Sequence, residues 1–148
     1  AKRFVWNMYN RVSRPMYVND GTDTWTYSTA AWRQANGSAA NQAAFVLGLS
    51  GDAVRANVTN AVYSTAGNSW ALVGIGLDST TVNSAQVAVG LSIATNYAFG
   101  ARAEYIGTPT IGYHYLAWLE YATTATTTWF GDNGGTYMDS GLMAEVMA

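Results

Sequence analysis

Cysteine is absent, histidine is confined to His114, lysine to Lys2, and only 11% of the 148 residues are charged. Without cysteine there are no disulfides and no thiolate metal ligands, which leaves the cellular compartment open. A lone histidine must find metal-binding or catalytic partners elsewhere, and the chain offers no second imidazole. Catalysis needs titratable groups gathered in a pocket, so this inventory argues against an enzyme. No cofactor and no metal is expected. Apolar runs are short and broken by Gly, Asn and Thr, which excludes a hydrophobic span and predicts no membrane insertion. A net charge of −2 generates no field to draw in nucleic acid, which is not expected as a partner.

What is present is apolar and aromatic: 49% hydrophobic residues, with 6 Trp and 10 Tyr. Such a chain is not disordered, and at this length one domain can bury roughly two thirds of its unfolded surface. The spacing of apolar residues has a period of two. From Ala53 to Ser64, Val54, Ala56, Val58 and Val62 alternate with Arg55, Asn57, Thr59 and Ala61, the pattern of a strand with one buried face. Gly112 to Ala122 (GYHYLAWLEYA) is apolar on both faces, which places it centrally in a sheet. Gln42–Leu49, Trp70–Leu77, Ala85–Val89, Ile93–Phe99, Arg102–Ile106, Thr126–Phe130 and Leu142–Met147 are further strand candidates. Shorter runs at Phe4–Tyr9, Met16–Val18, Thr24–Tyr27 and Ala30–Arg33 are separated by Ser13–Pro15 and by turn-forming NDGTD at Asn19–Asp23. Ala and Gln give Ala39–Phe45 some helical propensity, opposed by the Val46, Leu47 and Gly48 that follow. The expected fold is all-β: a jelly-roll-like antiparallel β-sandwich with little helix and an extended N-terminal arm.

Charge is unevenly placed. Lys2, Arg3, Arg11 and Arg14 precede the first acid, Asp20, so residues 1–14 read as a basic arm and 15–148 as the single sandwich domain. Lys2, Arg3, Phe4, Trp6, Arg11 and Arg14 are the candidate attachment residues; a solvated terminus is the plainer reading. No secretory leader is expected, since Phe4–Met8 is short and interrupted by Asn7.

Constellations that carry chemistry are weak. His114 and Glu120 share a strand face about 20 Å apart and cannot touch within that strand. A satisfied core or interface histidine is the expectation. Asn19, Asp20 and Asp23, and likewise Asp132, Asn133 and Asp139, offer oxygen ligands for a hard cation, but Asp and Asn beside Gly also simply build turns. Gly74–Thr80 (GIGLDST) lacks the lysine and glycine spacing of a phosphate loop, so its glycines are expected to bend a strand or admit another backbone. Rings with polar tips suit subunit contacts and sugar platforms. Trp25, Tyr27, Trp32, Tyr113, Tyr115 and Trp129 are the candidate interface or ligand aromatics, since a sandwich of this size is not expected to bury every ring.

The runs TWTYSTAAWRQANGSAANQ at 24–42, GIGLDSTTVNSAQ at 74–86, GYHYLAWLEY at 112–121 and TTTWFGD at 126–132 resemble a family of small tailed-bacteriophage proteins also frequent in environmental viral sequences. The similarity extends from about Arg14 onward. It implies a β-jelly-roll virion component of the head-decoration, head-fibre or tail-fibre-tip type, assembling with itself, commonly as a trimer. Its implied partners are the major capsid or tail protein. The alternative it leaves open is a fibre tip that recognises a host surface glycan through residues such as Trp32 and Trp129.

Overall fold

The computed structural model describes residues 9, 11–65, 69–93, 97–123, 127–135 and 139–147. Among these residues twelve strands form two antiparallel sheets packed as a β-sandwich. In chain order they are β1 (Ser13–Asn19), β2 (Thr24–Thr26), β3 (Arg33–Gln34), β4 (Gln42–Leu47), β5 (Val54–Ser64) and β6 (Ser69–Leu77). β7 (Val87–Val89), β8 (Leu91–Ile93), β9 (Tyr97–Gly107), β10 (Gly112–Ala122), β11 (Thr127–Phe130) and β12 (Gly141–Met147) complete the set. Helix among the described residues is limited to 3-10 turns at Ala35–Gly37 and Asn133–Gly135.

The seven-stranded sheet is built on β5. β9 pairs along its whole length on one side, while β12 and β11 share the other, and β1, β2 and β7 extend the sheet outward. Asn60 plugs the point where β11 and β12 part: its buried amide donates to the Phe130 carbonyl at 2.7 Å and Ser140 Oγ at 3.0 Å. The five-stranded sheet is built on β10, flanked by β6 on one side and by β4 and β3 on the other. That central position explains why β10 is apolar on both faces.

Alternation selects the core. Val54, Ala56, Val58 and Val62 of β5 meet Leu116 and Trp118 of β10 and Leu142, Ala144 and Val146 of β12 in one buried cluster. On the outer face of β6, Gly76 leaves room for a returning segment, since a Cβ there would lie 2.1 Å from the Ser79 carbonyl. Asn83 and Ser84 then satisfy the backbone of Ile75 and Leu77. Gly76 of GIGLDST thus admits another backbone, as expected, while Gly74 makes room for the Asn83 and Trp32 side chains.

Two expectations are corrected. Ser13–Pro15 is not a break but the start of β1, because proline is tolerated on an edge strand whose N–H faces outward. The strand expected over Gln42–Leu49 forms as Gln42–Leu47, where pairing with β10 outweighs the helical propensity of Ala and Gln. Arg102–Ile106 and the later part of Ile93–Phe99 belong to one strand, β9, running on through Gly100. Of the first run, Phe4–Tyr9, only Tyr9 lies within the described residues.

Candidate interaction surface

Because side chains alternate across a strand, every residue that fills the core from β1, β12, β5 and β9 leaves its neighbour on the outer face. Strand register then aligns these neighbours in rows. One row runs Tyr17, Met143, Asn57, Glu104, Val87 across five strands. The rows beside it run Pro15, Glu145, Arg55, Ile106 and Asn19, Gly141, Thr59, Arg102, Val89. Tyr17, Met143, Ile106, Val87 and Val89 are 55%, 52%, 49%, 51% and 47% exposed, a large apolar share for one face.

The face is hollowed into a groove of about 800 Å³. Its apolar side chains stand at the two sides and its charges in the middle. Arg102 pairs with Glu104, Ser13 donates to Glu145, and Arg55, on the central strand, makes no ion pair among the described residues. Two arginines thus stand against two glutamates, and the face carries no net charge. Tyr17 donates its hydroxyl to Asp139 Oδ1 at 3.1 Å; burial and this carboxylate both push its pKa up, fixing the ring at the groove's rim.

The residues singled out from sequence are dispersed. Lys2, Arg3, Phe4 and Trp6 lie outside the described residues. Arg11 forms an ion pair with Asp52, and Arg14 sits exposed in β1 opposite Val146. Trp25 is buried and donates its indole N–H to Glu120 at 2.6 Å. Trp129, expected on a binding surface, is completely buried behind it, with Trp25 its partner in register. This is a correction: each is the inward residue of its short strand. Tyr27 is half-buried, donating to the Ala31 carbonyl at 2.7 Å beneath the Arg33 guanidinium, 3.9 Å from the ring centre. Trp32 packs on Tyr121 with ring centres 5.2 Å apart on the outer side of the other sheet. Tyr115 is half-buried on that side and Tyr113 is 53% exposed. None of these six aromatics lines the groove.

Sequence reasoning missed most of the groove residues because they come from strands far apart in the chain. The one available signal was the polar half of the Val54–Ser64 alternation, which gives Arg55, Asn57 and Thr59.

The cation-ligand loops are occupied structurally. Asp20 accepts from Thr22 N, Asn36 Nδ2 and Asn41 Nδ2 at 2.9, 3.1 and 2.7 Å; burial opposes its charge, yet these bonds hold its pKa below the ordinary carboxylate value. Asp132 caps the Gly134 N–H, and Asp139 serves Tyr17. Among the described residues no cluster of three or more His, Cys, Asp or Glu is placed to hold a metal. His114 is buried with both ring nitrogens engaged, by Asp78 and by the Thr110 carbonyl, leaving neither to accept a proton from a hydroxyl nucleophile. No helix of the described residues is long and apolar enough to cross a membrane. No family model and no curated protein matches the chain.

Proposed function

We propose that this protein is a non-enzymatic, self-associating structural subunit of a virion, of the capsid-decoration or head-fibre type, which uses the outer face of its seven-stranded sheet as the principal contact. The observation that carries the assembly reading is the gathering of five large, half-exposed apolar side chains on one face of one sheet, three of them in a single cross-strand row. The balanced charge of that face favours a near-neutral partner, and a second copy of this chain, at net charge −2, is one. A strand-rich fold without cysteine suits a particle that passes between redox environments. The placement in a virion rests on the resemblance of residues 24–132 to phage structural proteins.

Light scattering of the purified chain tests the assembly reading. The wild type is expected to run as an oligomer, with a trimer the preferred state. Met143→Glu with Ile106→Glu, both exposed, is expected to release folded monomer, since like charges brought together at a contact cost several kcal/mol. A wild-type monomer at high concentration would overturn the reading.

Attachment to the particle is assigned to the basic segment before β1. Removing residues 1–10 spares the Arg11–Asp52 ion pair and all of β1, so the domain is expected to fold unchanged. Particle binding is expected to be lost; retained binding in a co-sedimentation assay would remove the arm from the account.

A second reading, recognition of a host glycan, is favoured by the groove itself, whose volume lies in the range of small-ligand sites and whose floor sets Arg55 and Asn57 between apolar walls. Saturable oligosaccharide binding by a monomeric wild type, lost in Arg55→Ala, would favour it over assembly.

A further inference from the structure

We propose that His114, as an imidazolium shared between Asp78 and the Thr110 carbonyl, is a pH-sensitive clamp that holds the crossover between the two sheets against the end of β6. The clamp is independent of the function proposed above.

Its geometry dictates the protonation state. His114 Nε2 lies 2.7 Å from the Thr110 carbonyl oxygen, which can only accept, so Nε2 must carry a proton. Nδ1 lies 2.7 Å from Asp78 Oδ2, and an ionised carboxylate likewise only accepts. Both contacts are satisfied together only when both nitrogens are protonated. A neutral ring would aim a lone pair at one of the two oxygens.

Asp78 is well placed to anchor the ring. It occupies a left-handed backbone conformation with φ of 53°, and it grips β10 twice: its N–H donates to the Tyr115 carbonyl and its Oδ1 accepts from Tyr115 N, each at 3.0 Å. The other partner belongs to the segment 108–111 that carries the chain from β9 in one sheet to β10 in the other. Thr110 is thereby tied to the turn after β6, while Ile111 beside it is 61% exposed and the chain re-enters the sheet at Gly112 with φ of 139°.

The surroundings leave this switch to Asp78. From β4 the neighbour is the uncharged Phe45 ring, with centres 5.8 Å apart. From β9, Tyr105 senses the charge of Asp78, and its phenol, pushed up by burial and by that charge, stays neutral. Burial disfavours the imidazolium, but the Asp78 bond, the Thr110 bond and the Asp78 charge outweigh it and raise the pKa above 6.5. A raised value fixes the sign. The clamp is complete below the ordinary histidine range and is lost as pH rises through the folded-state pKa. On deprotonation the remaining proton stays on Nδ1, where the charged acceptor makes the stronger bond, and the Thr110 contact opens.

Imidazole 15N shifts and amide exchange test the clamp. At about pH 5.5 both ring nitrogens are expected to read as protonated, and between there and about pH 9 protection of the amide of Gly112, the first β10 residue and paired with Leu47 of β4, is expected, after correction for intrinsic rate, to fall about tenfold, the worth of one net hydrogen bond. In Asp78→Asn the Asn Oδ1 can keep Tyr115 while its amide donates to Nδ1; a neutral ring then serves Thr110 at every pH, and the dependence is expected to vanish. A neutral ring at low pH, pH-independent protection in the wild type, or an unaltered dependence in Asp78→Asn would each overturn the proposal.

Discussion

Replacing Glu120 by alanine is expected to destabilise the fold by about 3 kcal/mol, the lower part of the range for breaking a buried charge pair. Glu120 is fully buried in β10, and three donors converge on its carboxylate: Trp25 Nε1 at 2.6 Å, Arg33 Nε at 2.7 Å and the Asn36 backbone N–H at 3.2 Å. Burial pushes its pKa up, while the indole, the Arg33 charge and the backbone donor favour the ionised form. Truncation would strand the buried indole N–H and the Asn36 N–H. Asn36, at φ of 55° in the turn before β4, would keep only its side-chain bonds to Asp20 and Thr22. Arg33 would suffer less, because its side chain is 36% exposed and recovers water, which is why the lower figure is expected. Glu120→Gln keeps one acceptor but turns an amide N–H toward a donor, so an intermediate loss is expected. Urea denaturation gives the answer as a lowered midpoint at unchanged slope. A loss below about 1 kcal/mol would mean that this carboxylate does not organise the turn.

That network also marks where the sequence stopped being readable. Glu120 stood out as a polar residue on an apolar strand, but its partners are contributed by β2, β3 and the following turn, 84 to 95 residues away. Local alternation located the long strands well: Gly112–Ala122 was bounded correctly, and Ala53–Ser64 to within one residue, because each repeats its inward residue many times. In β2 and β11 the runs TWT and TTWF supply too few inward positions to reveal a period. Trp25 and Trp129 therefore looked like surface rings when they are core. Proline misled for a different reason, since the edge position at Pro15 overrides its local preference for a break. The groove was the least legible element: its rows exist only after register joins residue 17 to 143, 143 to 57, 57 to 104 and 104 to 87.

Trp129→Ala is expected to be the most damaging of the aromatic substitutions, at about 3–5 kcal/mol, enough to unfold a domain of ordinary stability in part or in full. The ring is completely buried between Trp25 and Val62 in register, and its indole N–H reaches the Tyr27 carbonyl at 3.3 Å. Its removal leaves a cavity against Trp25, which itself meets Trp118 edge-on with ring centres 6.0 Å apart. The damage should therefore spread from Trp129 through its register partner Trp25 to Trp118 in the other sheet. Tyr113→Ala offers the contrast. At 53% exposure on the outer side of β10 it is expected to cost within about 1 kcal/mol, as surface changes do. Thermal unfolding of the two variants separates a core role from a binding role. A Trp129→Ala protein that melts like the wild type yet fails to assemble or bind would return this ring to the surface and overturn the packing argued here.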